Sequence, residues 1–592
     1  MDGLVFIALN TPGLETARRA KVALGFGEVH GLQGRTSNAD VTFEETGPHL
    51  RTMFRTGRPI AAFMASGALI RILASELMDK HHEPPVIAAS LDGAHVVALL
   101  GGHHGGNTLA TRLAEALAGQ AAITTGSDSI LGAALDDPPD GWRLEANGDA
   151  KLLLQAGIKA GGVRFCGDGP QPNWLTKADS GPLIVVSDAA EVSGVTPRLI
   201  PPTIVIGVGC ERDTPSDALI AHVHEVLLRA DVHRDSVAVI ASIDVKIDEA
   251  AVHAVGAEFN APVRAFGASE LRKLAARLRN PSALVQQEVG VPGVAEAAAL
   301  AAAGPGATLI VPKVKGAQVT AAVARSVLPI EAAAVGRPQG KLKIVGLGPG
   351  DPAFRVPAAT EAIRQAENIV GYGLYLDLAA DAFSSTTTLH PFPLGAERDR
   401  ARYALALAAT GRRVALLASG DPGVYALATL ALEEMDAENN AEWNRVQVDV
   451  IPGVSAMQMA AARTGAPLGH DFCAISLSDL LTPWSTIEQR LIGAATGDFV
   501  IAFYNPVSKR RREGLIKARD ILLRHRQPNT PIAYARNLGR PEESIVFSTL
   551  GALTPNACDM LTTIIVGSSS TRRIKLGGHD FLYTPRGYIS DV

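Results

Sequence analysis

Four loops marked by glycine and proline carry the residue types that could hold a ligand through backbone groups. Residues 341–352 read K-L-K-I-V-G-L-G-P-G-D-P, so that Leu342, Ile344 and Val345 form a short apolar run emptying into Gly346, Gly348, Gly350 and Asp351. Glycine lets a backbone turn tightly and approach a neighbour with no Cβ in the way. The layout returns at Ser419-Gly420-Asp421-Pro422-Gly423-Val424-Tyr425, at Pro452-Gly453-Val454-Ser455-Ala456 and at Phe503-Tyr504-Asn505-Pro506. Each loop follows a strand-like run and so falls at the carboxyl edge of a sheet, where open α/β folds bind ligands. A dinucleotide site is one reading of the first loop. It puts Asp351 where the G-x-G-x-x-G template has Gly or Ala, and Val370-Gly371-Tyr372 where it expects a ribose-binding acid. An NAD-linked oxidoreductase is kept as the alternative from another class.

Other groups point to fewer chemistries. The run Lys509-Arg510-Arg511-Arg512 could attract carboxylates, or be a solvated helix face. Four scattered cysteines (Cys166, Cys210, Cys473, Cys558) make no C-x-x-C pair, which excludes a disulfide scaffold and argues against a structural metal. A net charge of -5 leaves no cationic excess for nucleic acid. The longest uncharged run, 297–312, is broken by Gly304-Pro305-Gly306 and is too short to span a bilayer. With 47% hydrophobic and 19% charged residues, and no signal-peptide pattern, the expectation is a cytoplasmic enzyme with no nucleic-acid or membrane partner.

At 592 residues the chain exceeds one core and divides into several domains. The first runs over 1–150, with a strand at 4–9, a helix at 14–24, a buried strand at 96–100 and a helix at 108–117. A less regular segment, 151–202, carries a strand at 183–186. The next domain, 203–332, opens with a strand at 203–206, a helix through Leu219, Val223, Val226 and Leu227, and a strand at 237–240. A linker is expected at 333–340, from Gly336-Arg337-Pro338-Gln339-Gly340. From 341 onward strands (342–345, 414–417, 446–451, 499–503, 531–534, 544–547, 562–566) alternate with helical stretches, the first at 358–368. The fold class is α/β and multidomain, with lobes at 341–455 and 456–592.

Together, the four loops and the run from Gly465 to Trp484 (G-A-P-L-G-H-D-F-C-A-I-S-L-S-D-L-L-T-P-W) resemble the tetrapyrrole methyltransferases. The likeness is sharpest to the precorrin-3B C17-methyltransferases of cobalamin synthesis and covers 341–592. It implies a two-lobed fold, a homodimer through this region, a polycarboxylate tetrapyrrole substrate and S-adenosylmethionine as cofactor. It also implies a cofactor cleft lined by Gly346, Gly348, Pro349, Gly350, Asp351, Ser419, Gly420, Asp421, Val424, Tyr425, Gly453, Ser455, Ala456, Tyr504, Asn505, Pro506 and Arg536. Methyl transfer from a sulfonium needs proximity and in-line orientation more than acid–base help. The ring contraction implied by the likeness would use a proton donor or acceptor, with His470 and Asp471 as candidates. Lys509 and Arg510 are candidates for the ring's carboxylates.

The region 1–330 resembles the cobalt-precorrin-5A hydrolases, which open a ring lactone and release a two-carbon aldehyde. The carriers are Val97–Asn107 (V-A-L-L-G-G-H-H-G-G-N), Gly207–Pro215, the 241–246 stretch A-S-I-D-V-K, Val289–Glu296 and Pro312–Lys315. Gly106-Asn107-Thr108 departs from the Gly-Ala-Asn ending that family leads one to expect. Lactone opening needs a base for water and a donor for the leaving carbon. His103, His104 and Glu211 are the candidates, with Lys313 or Lys315 to polarise a carbonyl or hold a carboxylate. No G-x-S-x-G elbow or triad is visible. The reading is a fused cobalamin-synthesis enzyme. Its alternatives are a non-catalytic corrinoid-binding N-terminal half, or a cobalt-chelated ring as methyl acceptor.

Overall fold

The computed structural model describes residues 3–77, 83–102, 105–124, 130–132, 135, 138–146, 150–192, 197–384, 386–508 and 511–588. The chain forms two compact units, one of residues 1–339 with 384–386, the other of 340–383 with 387–592.

The first unit holds three sheets. The first has the order Val41–Phe43, Glu28–Leu32, Val5–Ala8, Ile60–Phe63, Val86–Ala89, His95–Leu100, Gln120–Ala122. It is parallel except where Val86–Ala89 meets His95–Leu100. The helix expected at 14–24 begins earlier, at Thr11, because Asn10 caps it by accepting from Gly13 N at 3.0 Å. The strand expected to be buried at 96–100 is only partly so. Val96 alone is fully enclosed.

The segment 151–202 is more regular than its sequence implies. Helix Ala150–Ala160 packs with a four-stranded sheet, ordered Arg143–Glu145, Arg198–Ile200, Leu183–Val186, Arg164–Cys166. A core of its own, including Trp142, Leu153, Val163 and Ile184, holds it. The other three strands have three residues each, too short to print a period of two, so only the four-residue Leu183–Val186 is legible in the sequence.

The third sheet runs Val263–Phe266, Val237–Ile243, Ile204–Cys210, Val319–Arg325, Thr308–Lys315, the first three parallel and the last two antiparallel. The alanine-rich helix Val294–Ala303 lies so close to it that a Cβ on Gly207 would sit 2.0 Å from Ala295 O. The expected linker is partly packed. Ala265 and Arg337 exchange backbone hydrogen bonds, and the Arg337 guanidinium reaches Asp244 at 3.1 Å.

The second unit opens with an all-parallel sheet of order Thr388–Phe392, Asn368–Tyr372, Arg413–Ala418, Lys341–Gly346, Gln447–Ile451. The helix expected at 358–368 spans Pro357–Arg364, and Asn368 already begins a strand whose Ile369 and Val370 are buried. The second lobe's sheet runs Phe472–Ser476, Val500–Tyr504, Thr562–Val566, Pro531–Arg536, Ser544–Thr549, with a three-stranded sheet built on Arg572–Leu576 and His579–Tyr583 beside it. No helix among the described residues is long and apolar enough to cross a membrane.

Candidate functional site

Three neighbouring strands of the first lobe end together, at Gly346, Ala418 and Ile451. The loops beyond them are knitted. Gly348 and Gly420 exchange two backbone hydrogen bonds, with N···O distances of 3.2 and 2.8 Å. A Cβ on Gly346 would lie 2.7 Å from Gly420 O and 2.8 Å from Gly453 N, and one on Gly453 would lie 2.2 Å from Gly420 O. Glycine at these two positions is therefore required by backbone meeting backbone. Gly420 differs: its φ is +65°, and the place a Cβ would take has no atom nearer than 3.9 Å. That open space is bounded by Ala456 N, Ser455 Cα and Val454 O, a cradle of main-chain groups. Asp421 shapes it, accepting from Gly423 N at 2.8 Å and Gly453 N at 3.1 Å. Asp351 accepts from Ala353 N at 2.8 Å and starts the turn Pro352–Phe354.

The second lobe brings its own edge to the same helix. Its register puts Ser476, Tyr504 and Arg536 at one end of the sheet. The Tyr504 hydroxyl accepts from Met457 N at 3.0 Å, in the first turn of helix Ala456–Thr464. Burial pushes that hydroxyl above the usual tyrosine range, so it stays neutral. Ser455 caps the helix reciprocally with Gln458. Tyr425, at φ +54°, places its ring 5.2 Å from that of Tyr504 and donates to Ala474 O at 2.9 Å. It thereby ties the Gly420 loop to the second lobe. Asn505, at φ +51°, donates to Ser476 Oγ at 3.2 Å, and Pro506 is buried behind it. Val424 closes its loop onto Asp421 O at 3.3 Å.

Arg540, absent from the sequence reading, joins the two edges. Its Nε donates to Pro349 O at 2.7 Å and its Nη2 to Ser419 Oγ at 2.9 Å. A cleft of about 360 Å³ lies beside it, lined by Gly350, Asp351, Leu378, Arg463 and Gly539 among others. Arg536 lies at the same end of its sheet as Tyr504 and is held by Asp559, 2.7 Å away, whose carboxyl stays below its ordinary range.

The expected proton-transfer pair is elsewhere. His470 and Asp471 precede strand Phe472–Ser476, with Asp471 O bound by Val500 N, so they stand at the amino end of the sheet. A five-residue strand separates them from Tyr504 and Asn505, about 13 Å of rise. They are exposed and paired with each other at 3.3 Å. Lys509 and Arg510 fall outside the described residues. Of their neighbours, Arg511 faces Asp479 at 3.5 Å and Arg512 donates to Pro555 O at 2.8 Å.

In the first unit His103 and His104 also lie outside the described residues. Glu211 is exposed and accepts from Gln318 Nε2 at 3.0 Å. Lys315 is exposed, and pairs through Thr320 with Gly209, which puts it at the Glu211 end of the sheet. The Lys313 ammonium donates to Asn280 O, and burial and Lys315 hold it below the usual lysine range. Sequence spacing hid a charged network on the carboxyl edge of this sheet. Arg212 meets Asp248 at 2.8 Å and the buried Glu249 at 2.9 Å, and Lys246 meets Glu249 at 3.1 Å. Among the described residues, no group of three or more His, Cys, Asp or Glu is placed to hold a metal.

Residues 341–554 match the tetrapyrrole (corrin/porphyrin) methylases. Over 253 residues the chain is 44% identical to a precorrin-3B C(17)-methyltransferase of Sinorhizobium sp, covering 42% of this chain and 97% of that protein. The chain belongs to the tetrapyrrole methylases. Residues 204–324 match the cobalamin synthesis G C-terminal region and 48–128 the cobalamin synthesis G N-terminal region, so this tetrapyrrole methylase is fused to a G-type portion. A relative named cobalamin biosynthesis protein CobIJ, from Mycobacterium tuberculosis, is 42% identical over 253 residues, 42% of this chain and 48% of its own length. The solved structure of the methyltransferase CobJ aligns at 43% identity over 42% of this chain and all of that one, with a TM-score of 0.39. The tetrapyrrole methylases depend on S-adenosylmethionine, and this one is a methyltransferase of cobalamin biosynthesis.

Proposed function

We propose that residues 341–592 bind S-adenosylmethionine against the Gly420 cradle and methylate C17 of a precorrin-3B-type ring, with contraction of the ring, and that residues 1–330 hydrolyse the lactone of a later, cobalt-precorrin-5A-type intermediate. The observation that carries the first part is the cradle itself. Loops from three strands of one lobe and the Tyr504 loop of the other meet at a helix N-terminus, around a space bounded by main-chain N–H and C=O groups. Such a surface suits a zwitterionic nucleoside read by the main chain, and it is already in place without rearrangement. The cofactor supplies an activated methyl on a sulfonium, which needs no acid or base to leave. The chain's own task is then to fix the acceptor in line and keep water out. Gly346, Gly348, Pro349, Gly350, Asp351 and Asp421 build the wall, Ser455 and Ala456 offer the helix end, and Tyr425, Tyr504 and Asn505 close the far side.

In the hydrolase portion, Glu211 and Lys315 at one end of their sheet support a carboxylate that could activate water and a cation that could meet a substrate carboxylate. A non-catalytic corrinoid-binding half is the second reading, favoured by the internal pairing of Arg212, Lys246, Asp248 and Glu249, which leaves few free groups.

Two assays on the full chain test these roles. Incubation with precorrin-3B and S-adenosylmethionine should give a product 14 mass units heavier per methyl transferred, with stoichiometric S-adenosylhomocysteine. An unmodified ring under conditions where the chain binds the cofactor would overturn the methylation. Incubation with cobalt-precorrin-5A should release a two-carbon aldehyde, and a Glu211→Gln variant should release it at least tenfold more slowly. No aldehyde from the wild type would leave the corrinoid-binding reading.

A further inference from the structure

The lining of the methyltransferase cleft carries two cations, Arg463 and Arg540, and two carboxylates, Asp351 and Glu543, yet of the cations only Arg463 is ion-paired within it. Arg540 donates to Pro349 O and Ser419 Oγ, and among the described residues no carboxylate lies within ion-pair distance of it. It lines the cleft of about 360 Å³ together with Gly350 and Leu378, and Gly350 leaves room for it, since a Cβ there would sit 2.9 Å from Arg540 Nε. The two acids in the same lining are engaged. Glu543 pairs with Arg463 at 2.6 Å and accepts from Gly539 N at 2.7 Å, while Asp351 accepts from Ala353 N.

A second cation, Arg400, acts on a residue of the helix that lines the cleft. Leu378 shares a helix face with Tyr375, three residues earlier on Gly373–Ala379. The Tyr375 hydroxyl feels both Arg400 and Arg540, although burial is the larger influence and pushes it up. Arg400 is 2% exposed, its Nε and Nη1 have no hydrogen-bond partner, and its nearest carboxylate, Glu397, is 3.8 Å away. An interior guanidinium so weakly matched raises the potential of everything in front of it, since little screening intervenes.

From the cleft and the two tethered donors of Arg540, which no carboxylate among the described residues pairs, we infer that Arg540 is the carboxylate-binding group of this active site. The carboxylate comes either from the rim of the tetrapyrrole or from the methionine end of the cofactor. Arg540 is already anchored through Nε and Nη2, so it meets its ligand pre-oriented, with Nη1 and the second Nη2 proton left to donate. Arg540 belongs to the second lobe and both of its anchors to the first, so occupation would also hold the lobes together. This inference rests on the proposed methyltransferase reading.

The test uses the full chain and the variants Arg540→Gln and Arg540→Lys, with folding followed by circular dichroism and melting. Binding is measured for uroporphyrin, a polycarboxylate ring, for S-adenosylhomocysteine, and for 5′-methylthioadenosine, which lacks the amino-acid portion and with it the carboxylate. If the ring supplies the carboxylate, Arg540→Gln weakens uroporphyrin by about 10- to 100-fold, leaves both nucleosides within twofold, and Arg540→Lys recovers part of the loss. If the cofactor supplies it, S-adenosylhomocysteine weakens by that factor while 5′-methylthioadenosine does not. Unchanged binding of all three by a folded Arg540→Gln variant, when the wild type binds, overturns the inference alone. A wild-type chain that binds neither ring nor nucleoside overturns the methyltransferase reading with it.

Discussion

At the scale of single residues, neighbouring glycines of the site are held by different forces and should fail differently. Gly453→Ala drives a methyl into Gly420 O, backbone that cannot yield, so the variant should lose S-adenosylhomocysteine binding and melt well below the wild type. Gly420→Ala meets open space and suffers only the left-handed backbone, a cost of about 1–2 kcal/mol. It should fold, with a melting point a few degrees lower. Equal melting points for the two variants would contradict the packing described. In the first unit, His30 Nδ1 lies 2.8 Å from His49 Nε2, and His30 Nε2 faces Glu28 at 3.4 Å. Burial, with His30 and Arg58 nearby, holds His49 at about 4 rather than 6.5. The unfolded chain therefore takes up a proton below pH 6.5 that the folded one refuses until about 4, and stability falls with pH through that window. Glu28, lowered to about 2 by hydrogen bonding to His30 and by Arg58, contributes stability above pH 4.5 that is lost as pH falls toward 2. Both groups are partly exposed, so the His49 effect is about 1 kcal/mol after screening. Hydrogen exchange across 28–32 at pH 7 and pH 5 should show it, and a His49→Asn variant should not.

Elements are positioned here by buried polar groups that no periodicity announces. Glu296 is fully enclosed on helix Val294–Ala303 and accepts from Arg279 N, Asn280 N, Asn280 Nδ2 and Lys313 N at 2.7–3.1 Å. Those hydrogen bonds outweigh burial and keep its carboxyl below the ordinary range. Glu296→Ala should destabilise the first unit by about 3 kcal/mol, measured by urea denaturation, because several donors lose their acceptor at once. A loss under 1 kcal/mol would show that the helix and strand hold without it. The residue sits in the V-G-V-P-G-V-A-E run that carried the hydrolase resemblance, yet its task is structural. The glycine loops were legible because a turn is a local event, written in a few consecutive residues. Arg540 was not, since its partner Pro349 is 191 residues away and nothing near Arg540 hints at it. His470 and Asp471 stand inside the family-like run, but which end of a strand they occupy is decided by pairing with Val500–Tyr504.

For the whole molecule, the chain joins a two-lobed methyltransferase to a hydrolase-type portion, each with its own sheets and cores. Substitutions inside one unit should spare the other: Gly453→Ala should abolish methyl transfer and leave aldehyde release within twofold. Loss of both activities would mean that the units depend on one another. The central claim is that the space at Gly420 is the cofactor site, and titration calorimetry tests it most directly. The wild-type chain should bind S-adenosylhomocysteine saturably at one site per chain, and Gly420→Arg, which fills the cradle, should abolish that binding while the chain stays folded. Undiminished binding by the variant, or none by the folded wild type, would contradict the account.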